Sequence, residues 1–309
     1  MSELSATNKT ARPTAQRRIV LADVAGYCFG VRRAVDIALE TRAQRTGNVT
    51  TLGPIIHNQQ VIDRMELGRI GVAAALEQVP DGTVILSAHG VSPAVLVESR
   101  RRGLDVVDVT CPFVTKVHRA ACRLHEDGFQ VVMLGDPGHS EVKGVVGAVE
   151  AVGGSVTVLA RPEDAPAVPL KKKVGVISQT TQRARDFGAL VGEICRRVPD
   201  VRAINTICGA TDELQEAAIR LAAEVDVALV IGGTKSANTK RLRELCEESG
   251  IPAYQIETAE EIDEIWLDGK STIGITAGAS TPDWIIEEVA RHLNAGELPA
   301  DWKVRHPDE

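Results

Sequence analysis

Residues 105–116 read Asp-Val-Val-Asp-Val-Thr-Cys-Pro-Phe-Val-Thr-Lys, a short β-branched run that breaks at Cys111 and is followed by proline. The run predicts a strand near 105–109. Pro112 suits the first position of a helix, where its missing N–H leaves nothing unpaired. Cys111 therefore stands at a strand-to-helix junction. Two other cysteines have comparable settings, Gly26-Tyr-Cys28-Phe-Gly-Val and Thr206-Ile-Cys208-Gly-Ala-Thr, with glycines close by that permit tight backbone approach. Cys28 lies 83 residues before Cys111, and Cys208 lies 97 after it. No Cys-x-x-Cys pair occurs in the chain, so a metal shared by the three must sit where distant segments converge. Three thiolates leave a coordination shell incomplete. Residue types alone admit either an open zinc site or an iron–sulfur cluster with one unprotected iron.

Working outward, short β-branched runs alternate with amphipathic helical stretches along the whole chain, the pattern of α/β units. Strands are expected near 18–24, 48–53, 69–72, 83–87, 105–109, 129–134, 155–160, 173–177, 201–207, 226–231, 253–256 and 272–276. Aligned on the cysteines, the thirds of the chain repeat one another. Cys28 to His57 spans 29 residues, and both Cys111 to His139 and Cys208 to Ser236 span 28. A third landmark follows the last strand of each unit: Ser-Ala-His89-Gly, Ser178-Gln-Thr-Thr, and Ala-Gly-Ala-Ser280-Thr-Pro. Nine loops thus repeat the order cysteine, polar loop, polar loop. Ligands of open α/β sheets bind outside the carboxyl ends of the strands, so three lobes facing one axis would bring all nine loops to a single cavity. The expected division is a disordered tail over 1–17, lobes over 18–110, 111–207 and 208–294, and a C-terminal tail over 295–309.

Composition narrows the function. With 309 residues and 44% hydrophobic content, the chain can bury a large core. A net charge of −7 and a pI near 5.6 argue against a nucleic-acid partner, as does the 3% aromatic content. No apolar run reaches the roughly 18–20 residues of a membrane span, and the N-terminus lacks the apolar region of a secretory signal. A cytoplasmic, reducing compartment is expected. Cys122, Cys195 and Cys246 fall in helical patterns and read as small apolar core residues.

The loops carry the chemistry. Each cysteine at a helix N-terminus should have its thiol pKa lowered by the helix dipole. His57, His89, Ser236, Asn238 and Ser280 form a set of short donors suited to phosphate oxygens, and helix N-termini add unpaired N–H groups. His139 and Glu141 lie two residues apart; inside a desolvated cavity the carboxyl pKa would rise, equipping it to carry protons. Thr180 and Thr181 could orient an alcohol or a water. Neither a P-loop nor a convincing dinucleotide fingerprint is present.

Together these residues resemble the 4-hydroxy-3-methylbut-2-enyl diphosphate reductases, the IspH/LytB family, over roughly 18–294. The motifs that carry the resemblance are Gly-Tyr-Cys-Phe-Gly-Val, Ser-Ala-His-Gly-Val, Thr-Cys-Pro-Phe-Val-Thr-Lys-Val, Gly-His-Ser-Glu-Val, Ser-Gln-Thr-Thr and Thr-Ala-Gly-Ala-Ser. The resemblance implies a trefoil of three α/β lobes around one 4Fe–4S cluster held by Cys28, Cys111 and Cys208, with the fourth iron left for the substrate hydroxyl. It further implies that His57, His89, Ser236, Asn238 and Ser280 hold a diphosphate and that His139 lines the pocket. Thr180 would then orient the alcohol and Glu141 serve the proton relay. The implied reaction is reductive dehydroxylation of an allylic diphosphate to isopentenyl and dimethylallyl diphosphates, the last step of the methylerythritol phosphate route. The electron donor implied is a ferredoxin or flavodoxin. Leu214, Ala25 and Ala237 depart from the family pattern, which usually has arginine at the first, often arginine at the second, and in many members serine at the third. A non-catalytic iron–sulfur sensor on the same scaffold and a three-cysteine zinc hydrolase are the competing readings.

Overall fold

Val227–Ile231 is apolar and buried at every position, as a strand must be when helices cover both faces of its sheet. The computed structural model describes residues 17–294, 296–298 and 302–307. In chain order the elements are β1 (Arg18–Leu21), α1 (Phe29–Gln44), β2 (Val49–Leu52), α2 (Gln59–Leu67), β3 (Gly71–Ala73), β4 (Thr83–Leu86), α3 (Pro93–Arg101) and β5 (Asp105–Asp108). There follow α4 (Pro112–Glu126), β6 (Gln130–Leu134), α5 (Ser140–Glu150), β7 (Val156–Leu159), β8 (Lys173–Ser178), α6 (Ala184–Cys195) and β9 (Asp200–Ala203). The last set is α7 (Gly209–Ala222), β10 (Val227–Ile231), α8 (Ala237–Glu248), β11 (Ala253–Ile256), β12 (Thr272–Ala277) and α9 (Asp283–Leu293). Every expected strand is present.

Among the described residues the strands form three parallel four-stranded sheets, ordered β3-β2-β4-β5, β7-β6-β8-β9 and β11-β10-β12-β1. The order is the same in each, giving a trefoil of α/β lobes. Apolar clusters lie on both faces of each sheet. In the third lobe, Val227, Leu229, Ile231, Ile273 and Ile275 pack with Ile285, Ile286 and Val289 of α9. Ala228 and Val230 point the other way, toward Leu214, Ala218 and Leu221 of α7 and Leu242 of α8.

The division of the chain differs from expectation at both ends. Expected in the first lobe, β1 pairs in parallel with β12, Ile19 opposite Ile273 and Leu21 opposite Ile275, and so completes the third. The reason is cyclic. Just as β5 leads to Cys111 and β9 to Cys208, the fourth strand of the third sheet leads to Cys28, and only β1 has that place in the sequence. The segment expected as a C-terminal tail also packs: the Ala25 N–H donates to the Arg305 carbonyl at 2.9 Å, Nε2 of buried His306 meets Asp283 at 3.1 Å, and Trp302 and Val304 cover the third-lobe core. The expected disordered tail lies, except for Arg17, outside the described residues. Leu214 and Ala25 are fully buried on opposite faces of the third sheet. Cys246 is buried as expected and Cys122 partly so, whereas Cys195, the last residue of α6, is exposed.

Candidate active site

Cys28, Cys111 and Cys208 are the N-cap residues of α1, α4 and α7. In each case the cysteine N–H donates to a carbonyl in the loop after the third strand of the preceding sheet. The acceptors are Ala279 for Cys28 (3.2 Å), Ala88 for Cys111 (3.0 Å) and Thr180 for Cys208 (3.0 Å). This bond, repeated three times, turns each chain segment inward at the same point. A Cβ on Gly30 would stand 2.5 Å from Cys111 Sγ and 4.0 Å from Cys28 Sγ, so these two sulfurs flank one glycine. All three cysteines line a single cavity of about 740 Å³ between the lobes, open solvent at its mouth included.

The same cavity is lined by His57, His89, His139, Glu141, Thr180, Ser236, Asn238 and Ser280. The structure thus brings together every site residue singled out in the sequence. Thr181 and Thr211 line it as well, and among the described residues the Thr181 hydroxyl has no partner. Ala237, where many members of the family have serine, also lines it.

Two of the thiols run against expectation. Burial pushes Cys111 up and pushes Cys208 up to about 12, even though two backbone N–H groups of the following helix turn pull each the other way. Desolvation of a thiolate outweighs two donors at a helix end. A metal would reverse the balance by deprotonating its thiol ligands outright.

The imidazoles are packed against one another. The His57 and His89 rings stack at 4.2 Å, tilted by 29°, and His139 meets them edge-on at 5.1 and 5.5 Å. One nitrogen of each ring lies within 4.8 Å of the other two. Three imidazoles side by side can offer ring N–H donors to an anion. Burial first, then the neighbouring His139 and Lys235, hold His57 down to about 4. Burial and Lys143 do the same to His139, and burial with both other imidazoles holds His89 well below its ordinary value. In the ligand-free site these rings are neutral at physiological pH. The Glu141 N–H donates to His139 Nδ1 at 3.2 Å, which leaves the ring proton on Nε2.

Asn238, 4% exposed at the start of α8, has neither side-chain oxygen nor nitrogen paired among the described residues. Buried polar groups without partners carry a substantial penalty, and a ligand in the cavity would remove it. Ser236 caps α8 by accepting the Thr239 N–H at 3.2 Å, and the Ser280 hydroxyl donates to the His57 carbonyl at 3.1 Å. Gly233 packs so closely against that carbonyl that any Cβ there would collide with it.

Glu141 is fully enclosed. The Thr180 N–H donates to Oε1 and the Thr180 hydroxyl to Oε2, both at 2.7 Å. Burial raises its pKa to about 7, more than these two donors lower it. It can therefore both hold and release a proton near neutrality.

A family model described as LytB protein matches residues 19–294. The curated 4-hydroxy-3-methylbut-2-enyl diphosphate reductase of Geobacter sulfurreducens is 48% identical over 275 residues, covering 89% of this chain and 96% of that protein. Its namesake from Aquifex aeolicus is 45% identical over 277 residues, covering 89% and 95%. A solved (E)-4-hydroxy-3-methyl-but-2-enyl diphosphate reductase, described as the terminal enzyme of the non-mevalonate pathway, is 43% identical with a TM-score of 0.66, covering 90% and 99%. The E-1-hydroxy-2-methyl-but-2-enyl-4-diphosphate reductase structure from Plasmodium falciparum reaches 0.85 at 25% identity, covering 94% and 96%.

Proposed function

The chain belongs to the LytB family of 4-hydroxy-3-methylbut-2-enyl diphosphate reductases, and from that premise we propose that it reductively dehydroxylates (E)-4-hydroxy-3-methylbut-2-enyl diphosphate. The carbon–oxygen bond breaks, two electrons and two protons are taken up, and water leaves with isopentenyl or dimethylallyl diphosphate. The observation that carries the proposal is the convergence of three cysteines, three histidines and a Glu141–Thr180 pair on one cavity.

The residues fit the cluster that the family implies. Three cysteines stand at helix N-termini around the cavity, Gly30 leaves room where a side chain would displace a sulfur, and among the described residues no fourth cysteine lines the wall. Cys28, Cys111 and Cys208 would hold one 4Fe–4S cluster. When bound, it would supply the electrons and a Lewis-acidic iron for the substrate oxygen.

The polypeptide does the rest. Hydroxide leaves poorly, so the departing oxygen needs a proton. Protonated Glu141 supplies it through the Thr180 hydroxyl, which is already hydrogen-bonded to it. His57, His89, Ser236, Asn238 and Ser280 take the diphosphate, with His139 beside them. Anion binding raises the imidazole pKa values, so these rings gain protons as the ligand enters. The second proton is added at either end of the allyl unit, which accounts for two products. A ferredoxin or flavodoxin is the electron donor expected of the family.

The test is turnover. Protein purified without oxygen, given the hydroxylated diphosphate and a chemical reductant, should release both five-carbon diphosphates. Cluster-loaded protein that binds this substrate and never reduces it would refute the proposal.

A further inference from the structure

His57, His89 and His139 also line a second, adjoining cavity, an outer chamber whose wall includes the exposed Lys143, Lys235 and Lys240. The three histidines belong to both spaces and form the partition. Lys143 projects from α5 of the second lobe; Lys235 and Lys240 lie before and within α8 of the third. All three are exposed, and among the described residues Lys143 and Lys235 have no ion-pair partner. Lys240 has only a 3.9 Å approach to Glu244, a carboxylate already bound at 2.9 Å by both Arg183 and Arg241. Among the described residues the one carboxylate of the chamber, Asp136, is itself held by Arg241 at 3.3 Å.

This concentration of cations stands out on a chain of net charge −7. Repulsion by the whole molecule would slow the approach of a multiply charged anion, and a local focus of opposite charge reverses that effect. The inner site cannot supply the attraction, because its imidazoles are neutral until an anion arrives. The exposed lysines therefore stand on one side of the histidines, and the buried hydrogen-bond donors on the other.

We infer that Lys143, Lys235 and Lys240 form an electrostatic capture ring that draws the diphosphate group to the cavity and selects phosphorylated ligands at the encounter step. The inference rests on the proposed function only for the identity of the ligand. Its test is therefore run with inorganic pyrophosphate as well as with substrate.

The measurements compare the cluster-loaded protein with its Lys143→Gln/Lys235→Gln/Lys240→Gln variant. Pyrophosphate affinity is read by calorimetry at low and at physiological salt, alongside kcat and KM for the allylic diphosphate. At low salt the variant should bind pyrophosphate roughly tenfold more weakly, and its affinity should fall less steeply with added salt. Its KM should rise while kcat holds. An unchanged affinity and salt slope would overturn the inference, as would a fall in kcat without a rise in KM, or wild-type protein that binds no pyrophosphate. If the calorimetry behaves as expected but no allylic product forms, the reductase reading fails and the capture ring stands.

Discussion

At the scale of single residues, the chemistry turns on Glu141, and its environment gives a definite pH dependence. Its carboxyl, raised to about 7 by burial, donates only while protonated, so kcat/KM should fall as pH rises through about 7. Glu141→Gln should lower kcat by about 10²–10⁴-fold, the usual range for a general acid, and remove that limb of the profile. The same shift affects stability. A proton held more tightly in the folded state than in the unfolded stabilises the fold at low pH, and this contribution disappears between the ordinary value of 4.5 and about 7. In cluster-free protein, raising the pH across that window should therefore favour Glu141→Gln over wild type by roughly 3 kcal/mol, measured by denaturant unfolding. The buried histidines have the opposite slope, but they are common to both proteins and cancel in the comparison. The cavity residues were legible in the sequence because short polar side chains recur at matching strand ends. The thiol pKa values were not, because the sequence displays a helix start but not the depth of burial that outweighs it. Nor were the lysines, which are ordinary surface residues until the fold sets Lys143 of one lobe across from Lys235 of another.

At the scale of elements, each lobe uses a strand to deliver a cysteine and a helix start to aim it. The junction tolerates no side chain at Gly30. Gly30→Ala places a methyl 2.5 Å from Cys111 Sγ, and the sulfur must rotate away. The expected outcome is a folded protein, its melting temperature without metal within a few degrees of wild type, that retains well under half the iron of a parallel preparation. Full iron retention would show that the sulfur has another position from which to bind. Strands were legible wherever packing on both faces demands a continuous apolar run, as in β6, β8, β10 and β12. The ninth strand was expected to run to 207 and ends at Ala203. Beyond it the chain follows β8 on other bonds: the Ile204 N–H donates to the Val176 carbonyl, and the Thr206 hydroxyl both accepts the Ser178 N–H and donates to the Ser178 carbonyl. β-Branched residues look alike in a ladder and in such a tether.

At the scale of the whole molecule, three lobes of one topology close a ring in which the first strand of the chain completes the last sheet. The cysteine alignment contained this clue, since a strand precedes each cysteine. The pairing of β1 with β12 is long-range and leaves no mark on the local residue pattern, so chain order alone places β1 in the first lobe. The pairing makes the ends of the chain interdependent. Removing residues 1–21 should expose the edge of β12 and release the segment that leads to Cys28, yielding a protein that aggregates and loses iron even though all three cysteines remain. A soluble truncation with full iron content would contradict that role for β1. The account as a whole is tested most directly by counting iron and sulfide in protein isolated without oxygen, for wild type and for six single Cys→Ser variants. It predicts about four of each per chain in wild type, loss in the variants at Cys28, Cys111 and Cys208, and retention in those at Cys122, Cys195 and Cys246. Zinc without sulfide, or a full count in any of the first three, would contradict it.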